Sequence, residues 1–159
     1  MTAIHQALAA HSANPALPGY VAMASKDGAL IYRGAFGPKA LGSDQALSVD
    51  DVFFIASMTK AITTVAAMQL VEQGLIDLDQ PLGSVLPALA SPNVLEGFKG
   101  TGEPILRDAA GPITLRQLLT HTSGFAYDMW NADLVRYAQQ AGTPGIGTGL
   151  KAALDLPLV

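Results

Sequence analysis

An antiparallel hairpin signal near the N-terminus, a long helix free of glycine and proline, and a series of shorter capped helices together predict an α+β fold. The hairpin is marked by Asp27-Gly28 between two apolar runs, and the long helix by seventeen unbroken residues from Ser57 to Gln73. The shorter helices are marked by cap residues at either end.

In chain order, residues 3–11 (Ala3-Ile4-His5-Gln6-Ala7-Leu8-Ala9-Ala10-His11) favour helix, which Asn14-Pro15 and Pro18-Gly19 end. Tyr20-Val21-Ala22-Met23-Ala24 and Ala29-Leu30-Ile31-Tyr32-Arg33 flank Lys26-Asp27-Gly28. An Asp-Gly pair between apolar runs signals a hairpin, here over about 20–36, because glycine tolerates the positive φ of the turn. After a polar loop, Val52-Phe53-Phe54-Ile55-Ala56 reads as a brief strand. Ser57 then opens the long helix, and Gly74 stands where a C-terminal cap glycine is expected. Its apolar residues (Ala61, Ile62, Val65, Ala66, Ala67, Met68, Leu70, Val71) surround most of the axis, a pattern that predicts burial on several sides. Leu75 to Leu89 should be irregular with short helical turns, and Ser91 to Gly111, with its glycines and prolines, reads as an exposed loop. Thr114 and Gln117 stand at capping-box spacing and start a short helix to His121, ended by Thr122-Ser123-Gly124. A further helix from about Asn131 to Gln140 stops at Gly142, and residues 145–149 read as flexible.

Charged residues make up 14% of the chain, against roughly 25% in an ordinary soluble domain. Half the residues are hydrophobic, and the mean hydropathy is +0.32. So little charge predicts either an interior-rich domain or a piece of a larger one. The apolar run around Val65 to Val71 is far short of the ~20 residues that span a bilayer, and no transmembrane protein is expected. The first residues lack the pattern of a signal peptide, so the expected location is the cytoplasm. With no cysteine, disulfides, thiol catalysis and cysteine-ligated metals are excluded. The net charge is −4 and the basic residues are scattered singly, so nucleic acid is not an expected partner.

The candidate chemistry lies in Ser57-Met58-Thr59-Lys60, at the mouth of the long helix. Residues three apart share a helix face, so the Lys60 ammonium can fold back to the Ser57 hydroxyl. A serine hydroxyl is a poor nucleophile until a neighbouring base takes its proton. Lysine serves as that base only when burial disfavours its charged form, and the positive end of the helix pushes the same way. The Ser57 amide, with no partner inside the helix, is placed to donate to the oxyanion formed when an acyl carbonyl is attacked. Taken alone, an S-x-x-K arises about once in a few hundred residues and reads first as an N-cap serine ahead of a surface lysine.

Context decides between the two readings. Phe54 to Lys60, the alanine-rich helix ending at Glu72-Gln73-Gly74, Leu75-Ile76-Asp77-Leu78-Asp79-Gln80-Pro81-Leu82, and Ile113-Thr114-Leu115-Arg116-Gln117-Leu118-Leu119-Thr120-His121-Thr122-Ser123-Gly124 together resemble the class C β-lactamase-like and penicillin-binding-protein-like serine hydrolases. Ser-Met-Thr-Lys looks most like the family VIII carboxylesterases among them. The resemblance implies a β-lactamase/transpeptidase-like fold: a helix-flanked antiparallel sheet beside a mostly helical domain, with the active site between them. Residues 1–56 would be the N-terminal helix and first sheet strands, and 57–159 the catalytic helix and part of the helical domain. The implied activity is that of a serine carboxylesterase acting on short-chain esters through an acyl-serine, with Ser57 as nucleophile, Lys60 as proton acceptor, and no metal or organic cofactor.

The family's third catalytic member is a tyrosine of a Tyr-x-Asn-like motif. Tyr137-Ala138-Gln139 resembles it superficially but falls inside the helix predicted over 131–140, so Tyr137 reads as structural. Tyr127 and Trp130 border the pocket in relatives and are expected either to contact substrate or simply to be buried. His121 is expected to order the helix end by hydrogen bonding. Members of the superfamily are much longer, so the expectation is an incomplete N-terminal portion. Its partners would be a small-molecule ester and a complementary C-terminal polypeptide of the same protein, with no membrane involved. By itself such a portion would expose sheet edge and apolar helix surface and be inactive or nearly so. The rival readings are a β-lactamase or D-alanyl-D-alanine peptidase of the same fold, and a non-catalytic binding or scaffold protein.

Overall fold

A computed structural model describes residues 3–12, 14 and 16–159. The chain divides into two compact units, Met1–Ala56 and Ser57–Val159.

In the first unit, helix α1 (Ala3–His11) is followed by the antiparallel strands β1 (Tyr20–Lys26) and β2 (Ala29–Phe36). Tyr20 pairs with Phe36 and Lys26 with Ala29, and a bulge at Ala24/Ser25 takes up one residue. The connection is the two-residue turn expected: Asp27 and Gly28 have φ of 49° and 76°, both in the left-handed region that a twist-matched hairpin turn demands. Aromatic rings join helix to hairpin. Tyr20 stacks on Phe36 with centroids 5.2 Å apart, His5 lies 5.2 Å from the Phe36 ring, and the Tyr20 hydroxyl donates to the Leu8 carbonyl. Lys39 Nζ meets Asp51 Oδ1 at 2.6 Å in the loop that follows. Residues 52–55 are not a strand. Among the described residues they pair with no other strand, and Val52 and Phe54 are almost fully exposed.

A 3₁₀ turn, Ala56–Met58, spans the boundary of the two units in the chain and leads into helix α2 (Thr59–Glu72) of the second. The helix ends as predicted, with Leu75 N–H on the Leu70 carbonyl (2.9 Å) and Gly74 N–H on that of Val71 (3.0 Å). The burial on several sides that its pattern predicts is not met among the described residues, and the exposure is that expected of an incomplete portion. No residue of α2 is buried; Ala67 and Val71 pack on the core, while Ile62, Val65, Met68 and Leu70 are exposed. All-round apolar patterning reports what a helix is suited to contact, and the described residues cover one side only.

The segment from Leu75 to Leu89 makes two 3₁₀ turns, Leu82–Ser84 and Pro87–Leu89. The expected loop over 91–111 is instead a hairpin of β3 (Asn93–Phe98) and β4 (Pro104–Asp108). Glycine and proline misled there. Gly97, at φ 132°, sits in a β-bulge, and Pro104 occupies the first position of its strand, the two places where a sheet accepts these residues. Leu158 runs parallel beside β3, donating to Asn93 and accepting from Leu95, both at 2.8 Å. Helix α3 (Leu115–Leu119) carries the predicted capping box: Gln117 N–H donates to Thr114 Oγ1 and Thr114 N–H to Gln117 Oε1. It stops short of His121, whose φ of 58° ends the turn. Helix α4 (Ala132–Ala141) starts at its Asn131 cap, buries Leu134 at 1% exposure, and ends at left-handed Gly142. Residues 145–149 hold a 3₁₀ turn, Ile146–Thr148, where flexibility was expected. Leu82, Leu89, Ile113, Leu115 and Leu158 form a buried cluster in this unit, and Leu95, Leu134, Ala153 and Leu156 are buried as well. Among the described residues no helix is long and apolar enough to cross a membrane.

Candidate active site

Ser57 lies within the 3₁₀ turn, and the α-helix proper starts two residues later, at Thr59. A serine opening a helix ordinarily accepts a hydrogen bond from a backbone N–H of the first turn. Here no side chain caps α2, and the Ser57 Oγ meets the Lys60 Nζ at 3.2 Å. The hydroxyl is therefore engaged by Lys60 rather than by the helix end. The preceding Ala56 has φ 45°, a left-handed conformation that a Cβ-bearing residue adopts only at some cost. The Ser57 amide lies in the first turn, where N–H groups have no partner inside the helix, and can donate outward.

Lys60 sits one residue into α2, and its carbonyl accepts from Thr64 Oγ1 at 2.7 Å. Its ammonium lies 5.8 Å from the centroid of the Tyr127 ring. Among the described residues no carboxylate lies within ion-pairing distance of Lys60; the ion pairs are Lys39–Asp51, Lys99–Glu103, Arg107–Glu96 and Arg116–Asp79. In two of these, a hydrogen bond from the cation, Lys39 and Arg116 respectively, holds Asp51 and Asp79 below the ordinary carboxylate range. Both Ser57 and Lys60 are exposed, so the burial that a lysine base requires is not supplied by the described residues.

Of the aromatic residues singled out in the sequence, Tyr127 reaches the serine–lysine pair and Trp130 does not. Trp130 is 83% exposed, and its indole makes no hydrogen bond or ring contact among the described residues. Tyr137 is half-buried in α4. His121 is exposed, and it is its backbone N–H, on the Leu118 carbonyl at 3.3 Å, that closes the end of α3; its imidazole makes no hydrogen bond among the described residues. Two features of the site escaped sequence reasoning: the approach of Tyr127 to Lys60, which only folding brings about, and the strain at Ala56, for which alanine gives no signal.

The sequence model of the beta-lactamase family matches residues 4–149. The chain belongs to this family. Its fold is β-lactamase/transpeptidase-like, and solved structures agree: unliganded simvastatin synthase from Aspergillus terreus superimposes with a TM-score of 0.80 at 37% identity, over 98% of this chain and 42% of that one. The chain is also similar to the lovastatin esterase of Penicillium rubens, 42% identical over 119 residues (74% of this chain, 30% of that protein). The monacolin J acid methylbutanoyltransferase of Aspergillus terreus is likewise 42% identical, over 130 residues (78% of this chain, 32% of that protein). Beta-lactamase-family relatives thus include an esterase and acyltransferases. The chain spans about a third of the length of the curated relatives it matches.

Proposed function

We propose that this chain carries the nucleophile of a serine acyl-transfer enzyme that hydrolyses carboxylic esters and also passes the acyl group to alcohols. The observation that carries the reading is the 3.2 Å contact of Ser57 Oγ with Lys60 Nζ at the mouth of α2. In the first step Ser57 Oγ attacks the ester carbonyl and Lys60 takes its proton. The Ser57 N–H donates to the oxyanion, and the alcohol leaves as it receives the proton. In the second step water or another alcohol attacks the acyl-serine, giving an acid or a new ester and restoring the hydroxyl. Simple short-chain hydrolysis is the narrower expectation of the sequence. Similarity to both an esterase and a methylbutanoyltransferase favours the wider one, in which the acceptor varies.

The reading requires Lys60 to be desolvated during the reaction. We assign that role to a complementary polypeptide corresponding to the part of the relatives that this chain does not match. The same segment would cover the exposed face of α2, which carries Ile62, Val65, Met68 and Leu70.

The test is a mass spectrum of the complete protein before and after exposure to a small aryl phosphonate ester, with turnover of an aryl ester measured with and without an added alcohol. The expected result is one adduct, mapped to Ser57, and a new ester product that grows with the alcohol. Hydrolysis that persists undiminished in Ser57→Ala would overturn the assignment.

A further inference from the structure

The geometry points to Tyr127 as the positioning residue for Lys60, acting through the face of its ring rather than its hydroxyl, and we propose this role on the basis of the acyl-transfer reading above. A lysine side chain has four rotatable bonds and much rotamer freedom, so an exposed lysine three residues from a serine does not stay beside it without further contacts. Among the described residues, Lys60 Nζ has two contacts that define its place: Ser57 Oγ at 3.2 Å and the Tyr127 ring at 5.8 Å from its centroid. No carboxylate among the described residues competes for it at ion-pairing distance.

Tyr127 is itself held by its neighbours in the chain. The Gly124 carbonyl accepts from Val159 N–H at 2.9 Å, Phe125 packs on the core, and the Tyr127 carbonyl accepts from Trp130 N–H at 3.1 Å. The Tyr127 hydroxyl makes no hydrogen bond among the described residues, which leaves the ring as its means of holding Lys60. An aromatic face attracts a cation more than a neutral amine. The attraction therefore grows as the Ser57 proton arrives on Nζ, so the ring favours the acylation transition state over the resting pair.

The experiment measures inactivation of the complete protein by a 4-nitrophenyl phosphonate, with Ser57 Oγ forming the new O–P bond and 4-nitrophenolate leaving. The maximal rate and the half-saturating concentration are determined separately for the wild type, Tyr127→Phe and Tyr127→Leu, together with their melting temperatures. The expected result is a near-wild-type rate for Tyr127→Phe. For Tyr127→Leu the maximal rate should fall roughly twofold to thirtyfold, with half-saturation unchanged. A wild-type rate in Tyr127→Leu overturns the proposal, as does an equal loss in Tyr127→Phe, or a change confined to half-saturation, which marks a substrate contact instead. If the leucine variant does not fold, Tyr127→Met takes its place. Absence of a Ser57 adduct in the wild type would sink the acyl-transfer reading itself, a result distinct from any difference among the Tyr127 variants.

Discussion

Helices α2 and α4 lie in the same unit and follow opposite plans. Helix α4 carries its own instructions: an Asn131 cap that accepts from Leu134 N–H at 3.0 Å, Asp133 in the first turn, and a left-handed Gly142 at the end. One side chain, Leu134, anchors it in the interior. Helix α2 has no side-chain cap and no buried residue, and it is apolar nearly all round. The residue standing near its mouth, Ser57, directs its hydroxyl to Lys60. A helix held by caps and one deep anchor is built for stability. One whose N-terminal N–H groups have no side-chain cap, and whose neighbouring serine meets a lysine instead, depends on packing elsewhere for its place.

The contrast predicts opposite responses to mutation. The largest effect is expected at Ser57→Ala in the complete protein. Acyl transfer should fall by about three orders of magnitude or more, while the melting temperature should hardly move because the hydroxyl caps nothing; a large loss of stability would show that Ser57 is structural after all. Next is Leu134→Ala, for which chemical denaturation should register a loss of about 2–5 kcal/mol, since a cavity replaces a side chain only 1% exposed. A loss below about 1 kcal/mol would mean that α4 is not anchored there.

Val65→Asp sharpens the comparison on the α2 side. Val65 is 61% exposed, yet the proposed covering polypeptide would bury the new carboxylate and cost more than about 2 kcal/mol. An unchanged denaturation midpoint in the complete protein would show that this face stays open to water. The smallest effect is expected for Asn131→Ala, about 1 kcal/mol from the lost cap, read as a small shift of the same midpoint. Equal sensitivity at the mouths of both helices would erase the distinction.

Much of this was legible in the sequence because the signals are local. The Asp27-Gly28 turn, the Thr114/Gln117 capping box and the Asn131 and Gly142 ends each depend on residues within one turn of one another. The β3–β4 hairpin was not legible, because Gly97 and Pro104 are loop residues on average and strand residues only at a bulge or a strand start. The Val52–Ala56 run has strand composition, but a strand also needs a partner for its backbone. For α2 the apolar pattern names a preference for burial on several sides, and packing among the described residues meets it on one side only.

The sequence by itself determined the helices, the first hairpin and the serine–lysine spacing, since hydrogen bonds between near neighbours and the helical repeat dictate these directly. Only the tertiary structure decided that Tyr127 faces Lys60, that residues 93–108 pair as strands and that Leu158 joins them. Strands β3 and β4 are neighbours whose pairing Gly97 and Pro104 obscure, whereas the contacts of Tyr127 and Leu158 join segments far apart in the chain. Their formation depends on core packing that closes the intervening loops, and no local pattern of residues encodes that.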